Sequence, residues 1–511
     1  MKLLAPTAII LLSTFALLWR IDATVLWRDE ASTASWAREM VESGHWLPRV
    51  FNGERLMVQG PDGHDFNDRF LPVMQGWLQF YVAAIGLALG GSGTAAARLP
   101  FVAAGAVALG ALYRAAREVF GSRTAALAAP LLGATSIYFL TAARQARYYG
   151  LVVLFTALVL LELARWRNRP ELARSTTFWA RIGLYGALTY FANYLSFAAL
   201  WLSLAVFVAA AGDRALRRGF AVLTAILAPI LGAEFLLLHG DFASSYTDVS
   251  ATWRDYWNLI DYHASQLGRM MPLAAMVPAA WYVFARRRER GPAATMALLC
   301  VCVVVVSVAG TLAAAGMTAI ARYYFQIVPA AVLLAAILTE RLWALAGRGW
   351  ALAFLAAALL WPNLNFYHQW CVNAVERQLT ADRAAHEPIV EFLRNNVAPH
   401  ETVAFYRNVQ GMMAYFNLPR LRWVALLDSE APRNQRLRGR LPDYLFDDYD
   451  GVDWYVVWDN RDRMPKKLTA DHKLVWEHSY IERYSWWDRR APERTLSYRV
   501  YRRSRAAPAR Q

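Results

Sequence analysis

The sequence is short of charge. Asp, Glu, Lys and Arg make up only 18% of its 511 residues, whereas a soluble domain carries about 25%. Apolar residues take their place: they form 57% of the chain and gather in runs long enough to cross a bilayer, which takes about 20 residues for each helix. The deficit excludes an ordinary soluble protein, and the runs predict a polytopic α-helical membrane protein.

Cysteine is also scarce, and nucleotide-binding motifs are absent. The three cysteines provide no disulfide framework. Cys300 and Cys302 lie inside an apolar run, where a thiol behaves as a small hydrophobe, and Cys371 stands alone. The sequence contains no P-loop and no G-x-G-x-x-G segment preceded by a strand. It therefore does not predict a nucleotide-binding enzyme.

The formal charge of +15 raises the question of a nucleic-acid partner. Much of the arginine, however, lies in short clusters between apolar runs, which is the pattern of cytoplasmic loops. These clusters are Arg114–Arg123, Arg165–Arg174, Arg214–Arg218 and Arg286–Arg290. No nucleic-acid partner is predicted, and the alternation of basic clusters with apolar runs predicts roughly eleven spans.

The same alternation predicts the topology. The first apolar run, Leu3–Trp19, is interpreted as an uncleaved anchor that leaves residues 21–97 on the outer face. The stretch Leu71–Leu89 is apolar, but only one crossing fits between this first outer loop and the basic cluster at Arg114, so we expect an interfacial helix there. Trp179–Ala211 is too long for one span and is predicted to turn near Asn193.

Composition divides the chain into two domains. Residues 1–369 are predicted to form the membrane domain, and residues 370–511 a small soluble α/β domain on the outer face, where charged residues become dense. Glu387–Asn395 has the pattern of a helix. Short β-like runs follow at Thr402–Tyr406, Leu421–Leu427 and Trp454–Trp458. The remainder is interpreted as a basic, poorly structured tail.

An acidic pair, Asp29-Glu30, follows the first apolar run directly. An acidic residue at the outer end of a span can simply be solvated. Here Trp27 and Trp36 flank the pair, which indicates an interface rather than bulk water. A carboxylate at reduced dielectric has a raised pKa and can act as a general base. We therefore expect this pair to be catalytic and to supply a base for an acceptor hydroxyl or amine.

Several arginines stand at predicted outer ends of spans, against the cytoplasmic bias of positive charge. They are Arg98, Arg144, Arg147 and Arg322. Arg98 alone has the position of a snorkelling or capping residue. Arg147-Tyr148-Tyr149 and Arg322-Tyr323-Tyr324 each place a guanidinium beside aromatic rings, where it could bind a phosphate bidentately. Anchoring of an aromatic belt is the alternative interpretation.

Three further features are weaker candidates. His64, Asp65 and Asp68 could bind a divalent metal ion, although their spacing matches no standard metal signature. Arg69, which follows them directly before Pro72, is itself predicted to be a substrate- or phosphate-binding residue. Glu234 lies inside an apolar run, where an ionisable residue is a functional candidate, although solvation at the interface explains it equally well.

Taken in order, these motifs resemble those of the GT-C superfamily of membrane glycosyltransferases, in particular the protein O-mannosyltransferases and lipid A aminoarabinose transferases. The resemblance rests on Asp29-Glu30 after the first span, Arg98-Leu99-Pro100 opening the second, Arg144 and Arg147 ending the third, and Arg322-Tyr323 with Pro329. It covers the chain to about residue 360, and the outer C-terminal domain also suits it.

The resemblance implies a function. It identifies Asp29 as the base, and Asp68-Arg69 before Pro72 loosely matches an acidic-basic pair of the family. Several members carry an Asp shortly after the third-span Arg, where this chain has Tyr148-Tyr149. The implied enzyme is an inverting glycosyltransferase of the cell inner or plasma membrane. Its donor is a polyprenyl-phosphate sugar, its acceptor is a protein, lipid or glycan, and transfer takes place on the extracytoplasmic face.

Two other classes of protein were weighed against this hypothesis. A transporter or flippase of lipid-linked or small polar solutes would predict inverted repeats and helices broken near the midplane, and the sequence shows no such repeat. A receptor-like binding module built around residues 370–511 would leave Asp29-Glu30 without a role.

Overall fold

The structure is a computed structural model of the 511-residue chain. It describes residues 4–26, 28–58, 66–73, 75–246, 291–313, 325–364, 387–405, 416–418, 420–447, 451–458, 472–482 and 494–504, with short pieces at 268, 275–278 and 281. The chain forms two compact units. The first comprises Met1–Ile21, Gln75–Gln79 and Arg98–Val375, and the second comprises Asp22–Met74, Phe80–Ala97 and Glu376–Gln511.

Helices dominate the part of the chain before residue 365. They are α1 Leu4–Leu18, α2 Arg28–Ser43, α3 Leu78–Gly90, α4 Thr94–Phe120, α5 Arg123–Ala126, α6 Ala128–Thr135, α7 Ile137–Arg144, α8 Tyr148–Asn168, α9 Thr176–Ala192, α10 Tyr194–Ala211, α11 Arg214–Tyr246, α12 Pro292–Ala313, α13 Ile327–Ala346 and α14 Arg348–Leu364. The polytopic helical fold predicted from the apolar runs is confirmed.

Five of the described helices are long and apolar enough to cross a membrane. They are Thr94–Phe120, Tyr148–Asn168, Tyr194–Ala211, Arg214–Leu238 and Ile327–Ala346. Shorter apolar helices cover Thr7–Leu18, Leu78–Gly90, Pro292–Ser307 and Arg348–Trp361. The expected count of roughly eleven spans stays a prediction. Helix α3, with 13 residues, is about 20 Å long and too short to cross about 30 Å of hydrocarbon.

The ends of α9 and α10 follow local chemistry. The long apolar run breaks at Asn193, as the sequence predicts: its side-chain oxygen accepts a hydrogen bond of 2.8 Å from Ser196 N and so caps α10. Helix α10 ends before Gly212, whose φ of +73° is readily adopted by glycine. The two helices therefore form the hairpin expected from one run of about twice the span length.

The two ends of the membrane helices carry different residues. Arg167, in the last turn of α8, donates a hydrogen bond of 3.0 Å from Nε to Thr295 Oγ1 near the start of α12. At the opposite end of α8, the ring of Tyr149 lies 4.6 Å from the ring of Phe325, just before α13. The basic end of α8 thus meets the beginning of α12, and its Arg-Tyr-Tyr end meets the beginning of α13, in the alternation that the basic clusters predict.

The second unit contains α2, most of α3, helices α15 Glu387–Asn396 and α16 Pro432–Leu437, and a five-stranded sheet. The strands are β1 Thr402–Phe405, β2 Arg422–Ala425, β3 Trp454–Trp458, β4 His472–Glu482 and β5 Arg494–Arg503. Their order is β2-β1-β3-β5-β4; β1 is parallel to β2 and β3, while β5 is antiparallel to β3 and β4. The helix and the first three strands agree with the predicted ones.

The interpretation of the final residues as a poorly structured tail is wrong for β4 and β5. These are the longest strands of the sheet. Strand β5 lies between β3 and β4, and its residues Tyr498 and Val500 are buried. On the sheet's more exposed side, Arg499 forms an ion pair of 3.0 Å with Glu477. The charged residues that suggested disorder belong to paired strands, where opposite charges across the strands stabilise the sheet.

A buried carboxylate, Glu401, anchors the start of β1. Burial alone would raise its pKa, but hydrogen bonds from Ala398 N, Trp454 Nε1 and Arg502 Nη2, at 2.9, 3.0 and 3.1 Å, outweigh burial and hold the pKa below its ordinary value. The ionised form of Glu401 therefore stabilises the second unit.

Residues 22–74 and 80–97 of the predicted first outer loop belong to the same unit as residues 376–511. Arg440 Nη2 donates to Asp68 O at 2.6 Å, and its guanidinium lies 5.2 Å from the centre of the Phe70 ring. Tyr444 OH donates to Glu54 O at 2.7 Å, and Arg433 Nη2 donates to Phe66 O. The residues around α16 thus hold the loop that carries Asp68 and Arg69.

Candidate active site

The acidic pair opens helix α2. Asp29 is 7% exposed and Glu30 is fully buried, and both lie in the first turn. Carboxylates are stabilised there by the positive end of the helix dipole. The side chains of both residues also take part in the contacts of the fold. The predicted position of the pair at reduced solvent exposure is therefore what the structure shows.

Helix α2 is unusual, because most of it is polar and yet buried. All twelve residues from Asp29 to Met40 are buried, although they include four residues with charged side chains and several hydroxyls. Trp36 fixes the helix: its Nε1 donates to Met57 O at 3.0 Å, and its ring packs edge-on against Phe80 at 5.0 Å. Burial of this many polar groups is costly, which is typical of a functional site rather than of a core helix.

Arg147 is a buried charged residue at the start of α8. It occupies the N-cap position of α8, in extended conformation with φ −146° and ψ 158°, and is 4% exposed. A helix N-terminus carries a partial positive charge, so a cation at this position is unfavourable for the helix itself. Cation and dipole together create a positive site, and a helix N-terminus is a common location for bound phosphate.

Two glutamines hold Arg147 in place. Arg147 Nη1 donates a hydrogen bond to Gln75 Oε1, which also accepts one of 3.1 Å from Gln79 Nε2. Gln79 Nε2 also donates to Gly76 O at 3.0 Å, and Gln79 Oε1 accepts from Tyr148 N at 3.3 Å. Both glutamines are buried. This connected set of bonds, the Gln75–Gln79–Arg147 network, fixes the guanidinium relative to the start of α8.

Aromatic rings surround the same helix end. The Arg147 guanidinium lies 5.3 Å from the centre of the Tyr148 ring, and Tyr148 packs edge-on against Tyr149 at 4.6 Å. Tyr149 in turn contacts Phe325. The predicted residues Arg322 and Tyr323 lie outside the described residues, but Phe325 is only three positions after Arg322.

Arg98 and Arg144 have a structural role. Arg144, fully buried, donates from Nη1 to Ala16 O at 2.6 Å and Leu17 O at 3.0 Å, and from Nη2 to Trp19 O at 2.5 Å. These carbonyls belong to the C-terminal end of α1, which lacks intrahelical partners. Arg98, also buried, donates to Ile21 O at 2.6 Å. Both arginines cap the end of α1, as expected for Arg98.

Asp68, Arg69 and Glu234 are not members of this network. Asp68 and Arg69 are exposed, and Arg69 lines a cleft of about 350 Å³ in the second unit together with Glu39 and Arg49. Glu234, in α11, accepts a hydrogen bond from Tyr190 OH of α9, so its carboxylate links two helices of the membrane domain.

A metal site finds no support among the residues that the structure describes. Within them, no group of three or more His, Cys, Asp or Glu side chains could hold a metal ion. His64 and Asp65 lie outside that part of the chain, so the metal site predicted with Asp68 stays a prediction.

The comparisons with known proteins agree with this architecture. Residues 74–236 match the family described as dolichyl-phosphate-mannose-protein mannosyltransferase. The fold is similar to that of ArnT from Cupriavidus metallidurans, in a crystal structure bound to undecaprenyl phosphate, with a TM-score of 0.61 and 16% sequence identity. That match covers 96% of this chain and 97% of the other. Residues 74–236 are thus similar to that mannosyltransferase family, and the fold of nearly the whole chain is similar to that of ArnT.

A second GT-C match is more distant. The archaeal oligosaccharyltransferase AglB from Archaeoglobus fulgidus, solved with an inhibitory peptide and a dolichol-phosphate, gives a TM-score of 0.52 at 13% identity and covers 89% of this chain and 69% of the other. No curated protein sequence matches the chain significantly. These likenesses establish the fold, and the chemistry has to be inferred from the residues, because one fold can support several functions.

Gln75 and Gln79 were not among the site residues predicted from the sequence. Both are polar residues in the apolar Leu71–Leu89 stretch, where we predicted an interfacial helix from the alternation of the basic clusters. Their spacing of four residues was the available signal, since it is the spacing at which side chains can interact on one side of a helix turn. Their partner Arg147 lies 72 residues away from Gln75, and no local pattern indicates that pairing.

Proposed function

We propose that this protein is a GT-C glycosyltransferase, which transfers a sugar from a polyprenyl-phosphate donor to an acceptor hydroxyl or amine on the extracytoplasmic face of the membrane. The observation that carries the proposal is the buried guanidinium of Arg147, held by Gln75 at the N-terminus of α8. A buried cation at the positive end of a helix is suited to an anionic ligand. The bound undecaprenyl phosphate of ArnT supports a lipid phosphate as that ligand.

The chemistry follows from the charges. The acceptor oxygen or nitrogen attacks the anomeric carbon of the donor, and the bond from that carbon to the phosphate oxygen breaks with inversion. Asp29 takes the proton of the acceptor as general base. The electron pair of the broken bond leaves with the polyprenyl phosphate, and Arg147 stabilises the negative charge that develops there.

The other residues have supporting roles in this proposal. Arg322 and Tyr323 are expected to contact the lipid phosphate with Arg147 and Tyr148, as the repeated Arg-Tyr-Tyr pattern suggests. Glu30, in the same helical turn as Asp29, is expected to orient Asp29 or the acceptor. Arg69, exposed on the outer loop, is a candidate contact for the substrate rather than for the reacting atoms.

A binding experiment with undecaprenyl phosphate tests the donor assignment. Arg147→Ala should weaken binding by about tenfold to hundredfold, because one charge-assisted hydrogen bond contributes about 1.5–3 kcal/mol. Arg147→Lys should recover only part of it, since lysine lacks the planar fork of the guanidinium. Arg218→Ala, at an exposed position in the first turns of α11, is the matched control.

Two results would contradict the proposal: wild-type protein that does not bind undecaprenyl phosphate, or folded Arg147→Ala protein that binds it as wild type does. Activity in detergent solution distinguishes the proposed transferase from the competing hypothesis, a flippase. A transferase releases polyprenyl phosphate from its donor in detergent solution, whereas a flippase requires two sides of a sealed membrane.

A further inference from the structure

We infer that Gln75 and Gln79 are positioning residues for the phosphate-binding Arg147, and that their neutral amides are required because a carboxylate there would compete with the lipid phosphate. The inference rests on the proposed function. It concerns two residues that no sequence motif singled out, and it makes Gln75 a determinant of binding for anionic ligands.

The hydrogen bonds within the network fix the orientation of the Gln79 amide. Gln75 Oε1 accepts from Arg147 Nη1 and from Gln79 Nε2, which uses both of its lone pairs. Gln79 Nε2 donates to Gln75 Oε1 and to Gly76 O, which uses both of its hydrogens, while Gln79 Oε1 accepts from Tyr148 N. Rotating the Gln79 amide by half a turn would set its donor against the N–H of Tyr148. The orientation is therefore unambiguous.

Gln79 also caps the start of α8. The side chain of its N-cap residue, Arg147, makes no capping hydrogen bond, whereas most helices have Ser, Thr, Asp or Asn at this position. Gln79 supplies the cap instead, because its Oε1 accepts from the N–H of Tyr148, the first residue of the helix. A cap provided by another segment allows an arginine to occupy the N-cap position.

The backbone between the two glutamines packs closely against the end of α9. A Cβ atom at Gly76 would lie 2.3 Å from Phe191 O and 2.7 Å from Ala192 O, so only glycine permits this approach to the end of α9. The backbone between Gln75 and Gln79 is thus fixed against the membrane helices. Side chains on a fixed backbone can set the position of the guanidinium precisely enough for ligand binding.

The amide of Gln75 differs from a carboxylate in its charge. A glutamate in place of Gln75 has the same length and could accept the same two hydrogen bonds. It would also place a full negative charge next to Arg147, form a buried ion pair, and repel a phosphate anion that approaches the same guanidinium. The amide oxygen holds Arg147 without that charge.

The test measures affinity for undecaprenyl phosphate and the melting temperature on the same purified full-length variants. Gln75→Glu should keep or raise the melting temperature, because the new ion pair preserves the network, while its affinity should fall by about tenfold or more. Gln75→Met, which has a similar length but no acceptor for Arg147, should lose affinity and some stability. Gln435→Glu makes the same charge change at an exposed residue of α16 and should change neither quantity.

The two measurements separate positioning from a structural role. A structural residue would lower both quantities together in Gln75→Glu, whereas we expect only the affinity to fall. Folded Gln75→Glu protein with wild-type affinity would overturn the inference, and so would failure of both Gln75 variants to fold beside a normal Gln435→Glu. Loss of binding in Arg147→Ala but not in Gln75→Glu would refute this inference alone, whereas normal binding in Arg147→Ala would refute the proposed function.

Discussion

Replacing Asp29 by asparagine should abolish most of the turnover while leaving the protein folded. The perturbation is small in shape: asparagine is nearly isosteric with aspartate and retains a hydrogen-bonding oxygen. It removes the negative charge and the basic lone pair that would accept the acceptor's proton. Asp29 is 7% exposed in the first turn of α2, so the change is made at a site with little solvent to compensate for it.

The structure separates the expected effects on stability and on rate. Loss of one first-turn charge removes a favourable interaction with the helix dipole, which contributes about 0.3–1 kcal/mol. Loss of a general base lowers turnover by about 10²–10⁴-fold, which corresponds to about 2.7–5.5 kcal/mol of transition-state free energy. Turnover should therefore fall far more than the loss of stability can explain.

The assay follows release of polyprenyl phosphate from a labelled donor, with a membrane extract as the source of acceptor, and measures donor affinity in parallel. Glu30→Gln is the matched control, because Glu30 lies in the same turn, is fully buried and loses the same charge. We expect Asp29→Asn to bind donor normally and to be nearly inactive, with a smaller loss of turnover for Glu30→Gln.

The reasoning is refuted if folded Asp29→Asn protein releases polyprenyl phosphate at a near-normal rate. Equal losses of stability, donor binding and turnover in both variants would also refute it, because they would make the acidic pair structural. In either case Glu234 and Asp68 become the next candidates for the base.

Three further predictions concern other parts of the chain. Gly76→Ala should displace the Gln75–Gln79–Arg147 network and weaken binding of undecaprenyl phosphate, whereas Gly110→Ala, where a Cβ meets nothing within 4 Å, should bind normally. Because the pKa of Glu401 is held below its ordinary value of 4.5, its stabilising contribution is complete above pH 4.5 and is lost as the pH falls below it; Glu401→Gln should therefore show a smaller drop in melting temperature on acidification. In protein with Cys371 replaced by serine, a cysteine at position 68 should react with an impermeant reagent from outside the cell and one at position 174 should not; the reverse result would refute the topology.

Much of the membrane domain could be predicted from sequence because hydrocarbon leaves little choice. Backbone groups in a bilayer must be satisfied within the helix, so a long apolar run predicts a helix almost irrespective of its packing. The break at Asn193 was predictable for the same reason, since the run was too long for one span and contained one good capping residue. The strands β1 to β3 were likewise predictable as short apolar runs between polar segments.

Helix α2 and strands β4 and β5 were harder to predict, because their polar residues are satisfied by distant partners. Helix α2 has no apolar stripe: its residues 29–40 are all buried, and only tertiary contacts such as that of Trp36 with Phe80 determine this. In β5, Arg499 is paired with Glu477, which lies 22 residues away. The periodicity of apolar residues indicates which side of a helix or strand faces solvent. It cannot predict an element that is buried on every side, or one whose charged residues are paired with each other in the fold.

Three of the buried arginines show how far sequence could go in predicting the proposed phosphate site. Arg98, Arg144 and Arg147 all stand at predicted outer ends of spans, and only the tyrosines that follow Arg147 set it apart in the sequence. In the structure, Arg98 and Arg144 donate to carbonyls at or beyond the C-terminal end of α1, where both unsatisfied acceptors and the helix dipole favour a cation. Arg147 stands at an N-terminus, where the dipole opposes a cation. A neutral glutamine holds it there. An arginine that stabilises a helix end is explained by the fold, whereas the unfavourable position of Arg147 relative to the helix dipole is our reason for proposing an anionic ligand.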